Sequence, residues 1–175
     1  MKSKKHSSPQ ENTQDIIDLI LDDHKDLKRL IKTLKDSEAD LGERYAAFEE
    51  FAPLLTIHAK PEEQSLYIEM KKDDELRSEG MEGDVEHALA DQLLNEIKNT
   101  EDEDLWSAKV KVLAELVEHH IEEEEDTLLP DYKKHSDKAQ RIELGEKFLA
   151  LKETIGMEHP FFSADQLNPQ QPSIH

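Results

Sequence analysis

Two stretches of this sequence align without a gap, and each sets a histidine and a glutamate, four residues apart, into an otherwise apolar helical stripe. Before His58 stand Phe51, Leu54 and Leu55, and after it Glu62, Glu63, Leu66 and Tyr67. Before His120 stand Leu113, Leu116 and Val117 at the same three offsets, and after it Glu124, Glu125, Leu128 and Leu129. A second, looser match relates His24, followed by Leu27, Ile31 and Leu34, to His87, followed by Ala90, Leu94 and Ile97. The chain thus reads as two copies of one helical hairpin, each supplying a His and then a His-x-x-x-Glu. Such a chain folds so that equivalent faces meet, carrying the polar residues inward.

The 3.6-residue period extends over most of the chain and predicts five helices. The first runs from about Thr13 to Lys35, capped by Asn12 or Thr13, with stripe Ile17, Ile20, Leu21, Leu27, Ile31 and Leu34. The second runs from about Glu43 to Lys71. A charged loop over Asp73 to Gly80 precedes the third, from about Gly83 to Lys98 with Leu89, Leu93, Leu94 and Ile97. The fourth spans about Glu103 to Leu129, with Leu105, Val112, Leu113, Leu116, Val117 and Leu128, and stops at Pro130. The fifth runs from about Asp137 to Ile155, capped by Ser136, with Gly156 just past its end. No strand pattern occurs, and the chain has only five glycines. The expected fold is all-α: an up-down-up-down four-helix bundle with an additional C-terminal helix. The expected organisation is a flexible N-terminal segment over 1–12, the bundle over 13–156, and a flexible, proline-containing tail over 157–175.

Composition excludes several function classes. Lys and Arg number 22 against 42 Asp and Glu, a formal net charge of −20. Such a surface repels nucleic-acid phosphates and anionic membranes, so neither is an expected partner. There is no cysteine, which removes disulfides, thiolate metal sites and thiol nucleophiles. No apolar run approaches the ~20 residues of a membrane span. The first ten residues are basic but lack the apolar core of a secretory signal, and a cytoplasmic protein is the default expectation. No Ser/His/Asp arrangement or phosphate-binding loop marks an enzyme class.

The polar residues inside the stripes carry the chemistry. Residues four apart share a helix face, so His58 and Glu62 point into the bundle together, as do His120 and Glu124. With His24 and His87 they bring four imidazoles and two carboxylates to one depth. Two buried carboxylates without counter-charge are costly, and a pair of cations removes that cost. Imidazole plus carboxylate suits iron, manganese or zinc more than calcium, and two carboxylates able to bridge suit two adjacent metals. A single histidine on an apolar stripe is ordinarily a hydrogen-bonded core residue; four of them in a matched pattern with two in-phase glutamates favour a metal site over a metal-free polar network.

Several neighbours compete for these roles. His119 with Glu123 has the same spacing as His120 with Glu124, but the repeat sets His120 opposite His58. Glu63 and Glu125, at matched positions, are candidates for orienting ligands. Asp91 lies four residues after His87, yet its counterpart after His24 is Lys28. His6, His135, His159 and His175 lie outside every stripe and read as surface or tail residues. Pro61, between His58 and Glu62, predicts a kink or an irregular turn, and Pro53 a second.

The order His24, His58-x-x-x-Glu62, His87, His120-x-x-x-Glu124, then Leu128-Leu129-Pro130, resembles the hemerythrin-like (HHE cation-binding) family over roughly residues 13 to 155. The resemblance implies an antiparallel four-helix bundle holding two Fe ions, oxo- or hydroxo-bridged and cycling between Fe2+ and Fe3+. By that carry-over the four His are terminal ligands, and Glu62 and Glu124 bridge. The oxygen carriers of the family use a fifth His where this chain has Asp91, and place an Asp where it has Glu125. The symmetric four-His, two-Glu set is more similar to the repair-of-iron-centres proteins, although those carry a cysteine-containing domain and this chain has no cysteine. The resemblance implies a small diatomic or peroxide partner (O2, NO or H2O2) rather than reversible oxygen storage. A ferritin-like oxidase is disfavoured because no Glu stands three residues before any of the four histidines. The alternative is a structural or interaction bundle with zinc, manganese or no metal.

Overall fold

The computed structural model describes residues 14–158, and among these every regular element is helical. The elements are α1 (Ile16–Lys35), α2 (Leu41–Glu63), α3 (Leu66–Met70), α4 (Arg77–Lys98), α5 (Glu103–Glu123), a π-helical turn (Glu124–Leu128), α6 (Leu129–His135) and α7 (Lys138–Glu158). The expected cap residues Asn12 and Thr13, the segments 1–12 and 159–175, His6, His159 and His175 lie outside the described residues, while Met157 and Glu158, expected in the tail, belong to α7. Asp15 caps α1 instead, its carboxylate accepting from the Ile17 N–H at 3.0 Å. Asp40 and Asp102 cap α2 and α5 in the same way.

Four long helices form a ring in which α1 adjoins α2 and α5, and α4 adjoins α5 and α2. The core falls into two apolar clusters. One holds Leu27, Ile31 and Leu34 of α1, Phe48, Phe51 and Leu55 of α2, Leu94 and Ile97 of α4, and Val110, Leu113 and Val117 of α5. The other holds Ile16 and Ile20, Leu66, Tyr67 and Met70, Leu76, and Leu128, Leu129 and Tyr132. Along α1 the order is second cluster, His24, first cluster; along α2 it is the reverse. The order alternates again through α4 and α5, which is the up-down-up-down topology. The histidines and glutamates form a polar layer between the two clusters. α7 adds Leu144 and Phe148 to the second cluster and packs across α1 and α2.

Several boundaries differ from the sequence expectation. The second helix does not run unbroken to Lys71. It passes through Pro53 and Pro61 and breaks at Gln64 and Ser65, where Ser65 Oγ donates to the Pro61 carbonyl at 2.6 Å. The serine hydroxyl takes the carbonyl that its own N–H would otherwise bond, and that N–H turns to Glu62 O at 3.2 Å. The third helix starts at Arg77, not Gly83, because Gly80 and Gly83 are close-approach positions rather than breakers. A Cβ on Gly83 would stand 2.5 Å from Tyr67 Cζ. Pro130 does not stop the fourth helix, which continues through the π turn into α6; the Leu129 N–H reaches back five residues to Glu124 O.

Ser136 does not cap α7. Asp137 and Gln140 form a reciprocal box, with Gln140 N–H donating to Asp137 Oδ1 at 2.9 Å and Asp137 N–H to Gln140 Oε1 at 2.8 Å. Gly156 lies inside α7 rather than past its end. Leu89, Leu105 and Val112 do not line the core, being 49%, 50% and 53% exposed. The buried face of α4 runs through Gly83, His87, Ala90, Leu94 and Ile97, and that of α5 through Trp106, Val110, Leu113, Val117 and His120, each leaving those residues on the far side.

Candidate metal centre

His24, His58, Glu62, His87, His120 and Glu124 are all buried, none more than 6% exposed. They gather into two triads whose potential ligand atoms lie within 4.8 Å of one another: His24, His58 and Glu124 in one, Glu62, His87 and His120 in the other. Each triad draws on both halves of the repeat. His24 and His58 take Glu124 from the second copy, and His87 and His120 take Glu62 from the first.

Each carboxylate also reaches across to the other triad. Glu124 Oε2 lies 3.1 Å from His24 Nε2 and 3.5 Å from His120 Nε2. Glu62 Oε2 lies 3.4 Å from His58 Nε2 and 3.7 Å from His87 Nε2. The two rings of a triad adjoin, with centroids 5.1 Å apart for His24 and His58 and 4.7 Å for His87 and His120. All four imidazoles thus present Nε2 to the centre.

Their Nδ1 atoms face outward, each toward a different carboxylate. His24 Nδ1 lies 3.0 Å from Glu125, His58 Nδ1 3.3 Å from Asp23, and His87 Nδ1 3.2 Å from Glu63, while His120 Nδ1 meets Glu86. A carboxylate can only accept, so with a cation at the centre each Nδ1 would carry the proton and each Nε2 would offer its lone pair inward. The arrangement obeys the repeat. Glu63 and Glu125 each follow an inward Glu and serve the histidine of the other copy; Asp23 and Glu86 each precede an inward His and serve the next histidine of their own copy. Lys28, Lys60 and Lys152 anchor Glu125, Glu63 and Asp23, with Nζ–O separations of 2.5, 3.0 and 2.5 Å. Lys152 makes α7 part of the support for the centre. The anchored carboxylates titrate low: burial raises Asp23, but its bonds to His58 and Lys152 outweigh burial.

Electrostatics in the metal-free protein are strained. Burial pushes His58 down to about 4, so it is neutral at physiological pH. Burial, and then Glu124, raises the Glu62 carboxyl well above the usual range. Burial acts on Glu124 too, but His120, His24 and His58 outweigh it and hold that carboxyl below the usual range. Without a cation, then, one of the two inward glutamates holds a proton and the other a charge. Both Glu62 oxygens and His58 Nε2 are buried without a hydrogen-bond partner. Unsatisfied buried acceptors of this kind carry a cost that a bound cation would relieve.

The rivals fall outside this layer. His119 is 63% exposed at its side chain and pairs with Glu123 at 3.5 Å. Asp91 pairs with Lys60. His135 pairs with Asp73 at 3.1 Å. Sequence reasoning missed Asp23 and Glu86, although an acidic residue directly before His24 and again before His87 was a visible signal. It also passed over Tyr67, whose hydroxyl donates to Glu124 Oε1 at 2.7 Å. Beside His120 and Glu124 a cavity of about 110 Å³ opens toward solvent, bordered by Gly83, Glu79, Glu82, Glu86 and Glu123.

The chain matches the family model for the hemerythrin HHE cation binding domain over residues 15–132 and belongs to that family. No curated relative and no solved structure matches it. Family membership and the two His/Glu triads fit a metal-binding protein, iron being the usual metal of the family. No helix among the described residues is long and apolar enough to cross a membrane.

Proposed function

We propose that this chain holds a non-haem di-iron centre that binds or reacts with O2, NO or H2O2, in sensing, stress response or protection of iron centres. His24 and His58 would hold one ion and His87 and His120 the other, with Glu62 and Glu124 placed to be shared between them. The observation that carries the reading is the inward convergence of six buried donor residues, of which His58 Nε2 and both oxygens of Glu62 have no hydrogen-bond partner. When bound, the iron pair supplies redox cycling between ferrous and ferric states and positions open to a small ligand.

The protein's own groups do the rest. The four outer carboxylates fix each imidazole's orientation and its protonated nitrogen. The two apolar clusters keep bulk water from the centre. The cavity has room for only a few water-sized molecules, which suits a diatomic or peroxide rather than a metabolite. Its glutamate border disfavours anions and leaves neutral molecules free to enter. Six inward protein donors for two ions leave positions for such a ligand, as in the four-His, two-Glu members the sequence resembles. Asp91, held by Lys60, supplies no fifth-histidine equivalent.

The test is to load the protein with iron, reduce it without air, and add O2, NO and H2O2 in turn while following the visible spectrum. A change with at least one of them is expected. No change with any would overturn the reading in favour of a structural bundle, with zinc, manganese or no metal at its centre.

A further inference from the structure

The repeat that builds the centre is broken at one coupled pair of positions. Nine residues after His58 stands Tyr67, and nine after His120 stands Leu129. Four residues before His87 stands Gly83, and four before His24 stands Ile20. One side of the polar layer therefore carries a phenol and a glycine where the other carries two aliphatic side chains, both within the second apolar cluster. The two exchanges belong together. A Cβ on Gly83 would stand 2.5 Å from Tyr67 Cζ and 2.7 Å from its hydroxyl oxygen, so only glycine lets the ring reach inward.

We propose that Tyr67 is a third terminal donor to the ion held by His87 and His120, which makes the two metal positions inequivalent. This rests on the di-metal reading above. The Tyr67 hydroxyl lies 3.3 Å from His120 Nε2 and 3.5 Å from His87 Nε2, and those two nitrogens lie 3.0 Å apart. Donor atoms that share one ion at about 2.1 Å and at right angles are separated by about 3 Å, so these three atoms outline one face of an octahedral site. Because Glu63 and Glu86 engage the Nδ1 atoms, Nε2 is what each imidazole offers inward. A phenol serving only as hydrogen-bond donor to Glu124 needs no such convergence, since one O–H satisfies one acceptor.

On metal binding the Tyr67 O–H bond breaks and an oxygen–metal bond forms. The proton would pass by way of Glu124, which accepts from the Tyr67 hydroxyl and borders the cavity beside His120, to solvent, and no electron moves. The His87/His120 position would then have one more protein donor than the His24/His58 position.

The experiment compares the full-length protein with Tyr67→Phe, which keeps the ring in the Gly83 notch. Both are loaded with ferric iron, and metal per chain and the visible spectrum are measured. Equal iron in both is expected, with a phenolate-to-iron charge-transfer band, and resonance-enhanced tyrosinate vibrations, in the parent protein only. Equal iron and no such band in the parent would overturn the proposal and leave the di-iron reading standing. No metal in the parent would overturn both. A second readout needs no variant: zinc titration of the parent, followed by ultraviolet difference spectroscopy, is expected to show one of its three tyrosines ionising. Zinc uptake with no tyrosine ionisation would contradict the proposal.

Discussion

His58 holds Asp23 at 3.3 Å through Nδ1 and turns Nε2 toward Glu62 at 3.4 Å, so one ring links the support of the centre to its interior. Asp23 contacts no other inward group, yet it fixes which nitrogen of His58 carries the proton. Replacing it with alanine is expected to weaken metal binding about 10- to 100-fold without removing a ligand. Metal titration against a competing chelator measures this, and Glu86→Ala is expected to act likewise through His120. Unchanged affinity in both variants would show that the outer carboxylates do not orient the imidazoles.

Glu62 predicts an inversion between the metal-free and metal-bound protein. Its carboxyl titrates well above the usual 4.5 in the folded state. A raised carboxyl favours folding least at high pH, because the unfolded chain ionises freely while the folded one cannot. Glu62→Gln is therefore expected to raise the melting temperature of the metal-free protein at pH 7, by a margin that shrinks as pH falls toward 4.5. The same variant is expected to lose most of the melting-temperature gain that metal gives the parent, which thermal unfolding with and without chelator reads directly.

His58 sets an opposite slope. Its folded-state value, about 4, lies below the ordinary 6.5, so the unfolded chain binds the extra proton between those pH values. Stability contributed by its neutral burial is present above pH 6.5 and is lost as pH falls toward 4. The loss is roughly 3 kcal/mol, from about 2.5 pH units at ~1.36 kcal/mol each. Denaturant unfolding of metal-free protein across that window checks it, with His58→Gln expected to show a correspondingly shallower fall.

Gly83 predicts a packing effect separate from the chemistry. Tyr67 is fully buried and cannot swing aside, so Gly83→Ala is expected to destabilise by about 1–3 kcal/mol, despite alanine's better helix propensity. Gly80→Ala is expected to cost less, because its Cβ would stand 3.2 Å from Met70 Cβ, a contact that small shifts accommodate. Chemical denaturation of the two variants side by side tests the order.

The six inward residues were legible because a period of 3.6 and an internal repeat both pointed at them, and repetition separates a constellation from a stray core histidine. The bundle was legible for the same reason. The helix breaks were not, because they turn on local competition. Ser65 displaces its own N–H from the Pro61 carbonyl, and the π turn carries the chain past Pro130; neither is encoded in hydropathy. The sequence puts Gly80 at the end of a charged loop and Gly83 at a helix start, whereas the structure uses both inside one helix for close approach. Asp23 and Glu86 are marked only by their repeated place before His24 and His87, since one acidic residue looks the same whether it faces solvent or an imidazole.

Metal content per chain after expression in iron-replete medium, compared between the parent, His120→Ala and His119→Ala, decides whether the inward donors hold two irons. Two irons are expected in the parent and in His119→Ala, whose imidazole is exposed, and fewer in His120→Ala. A single zinc, no metal, or a loss confined to His119→Ala would contradict the two-iron centre.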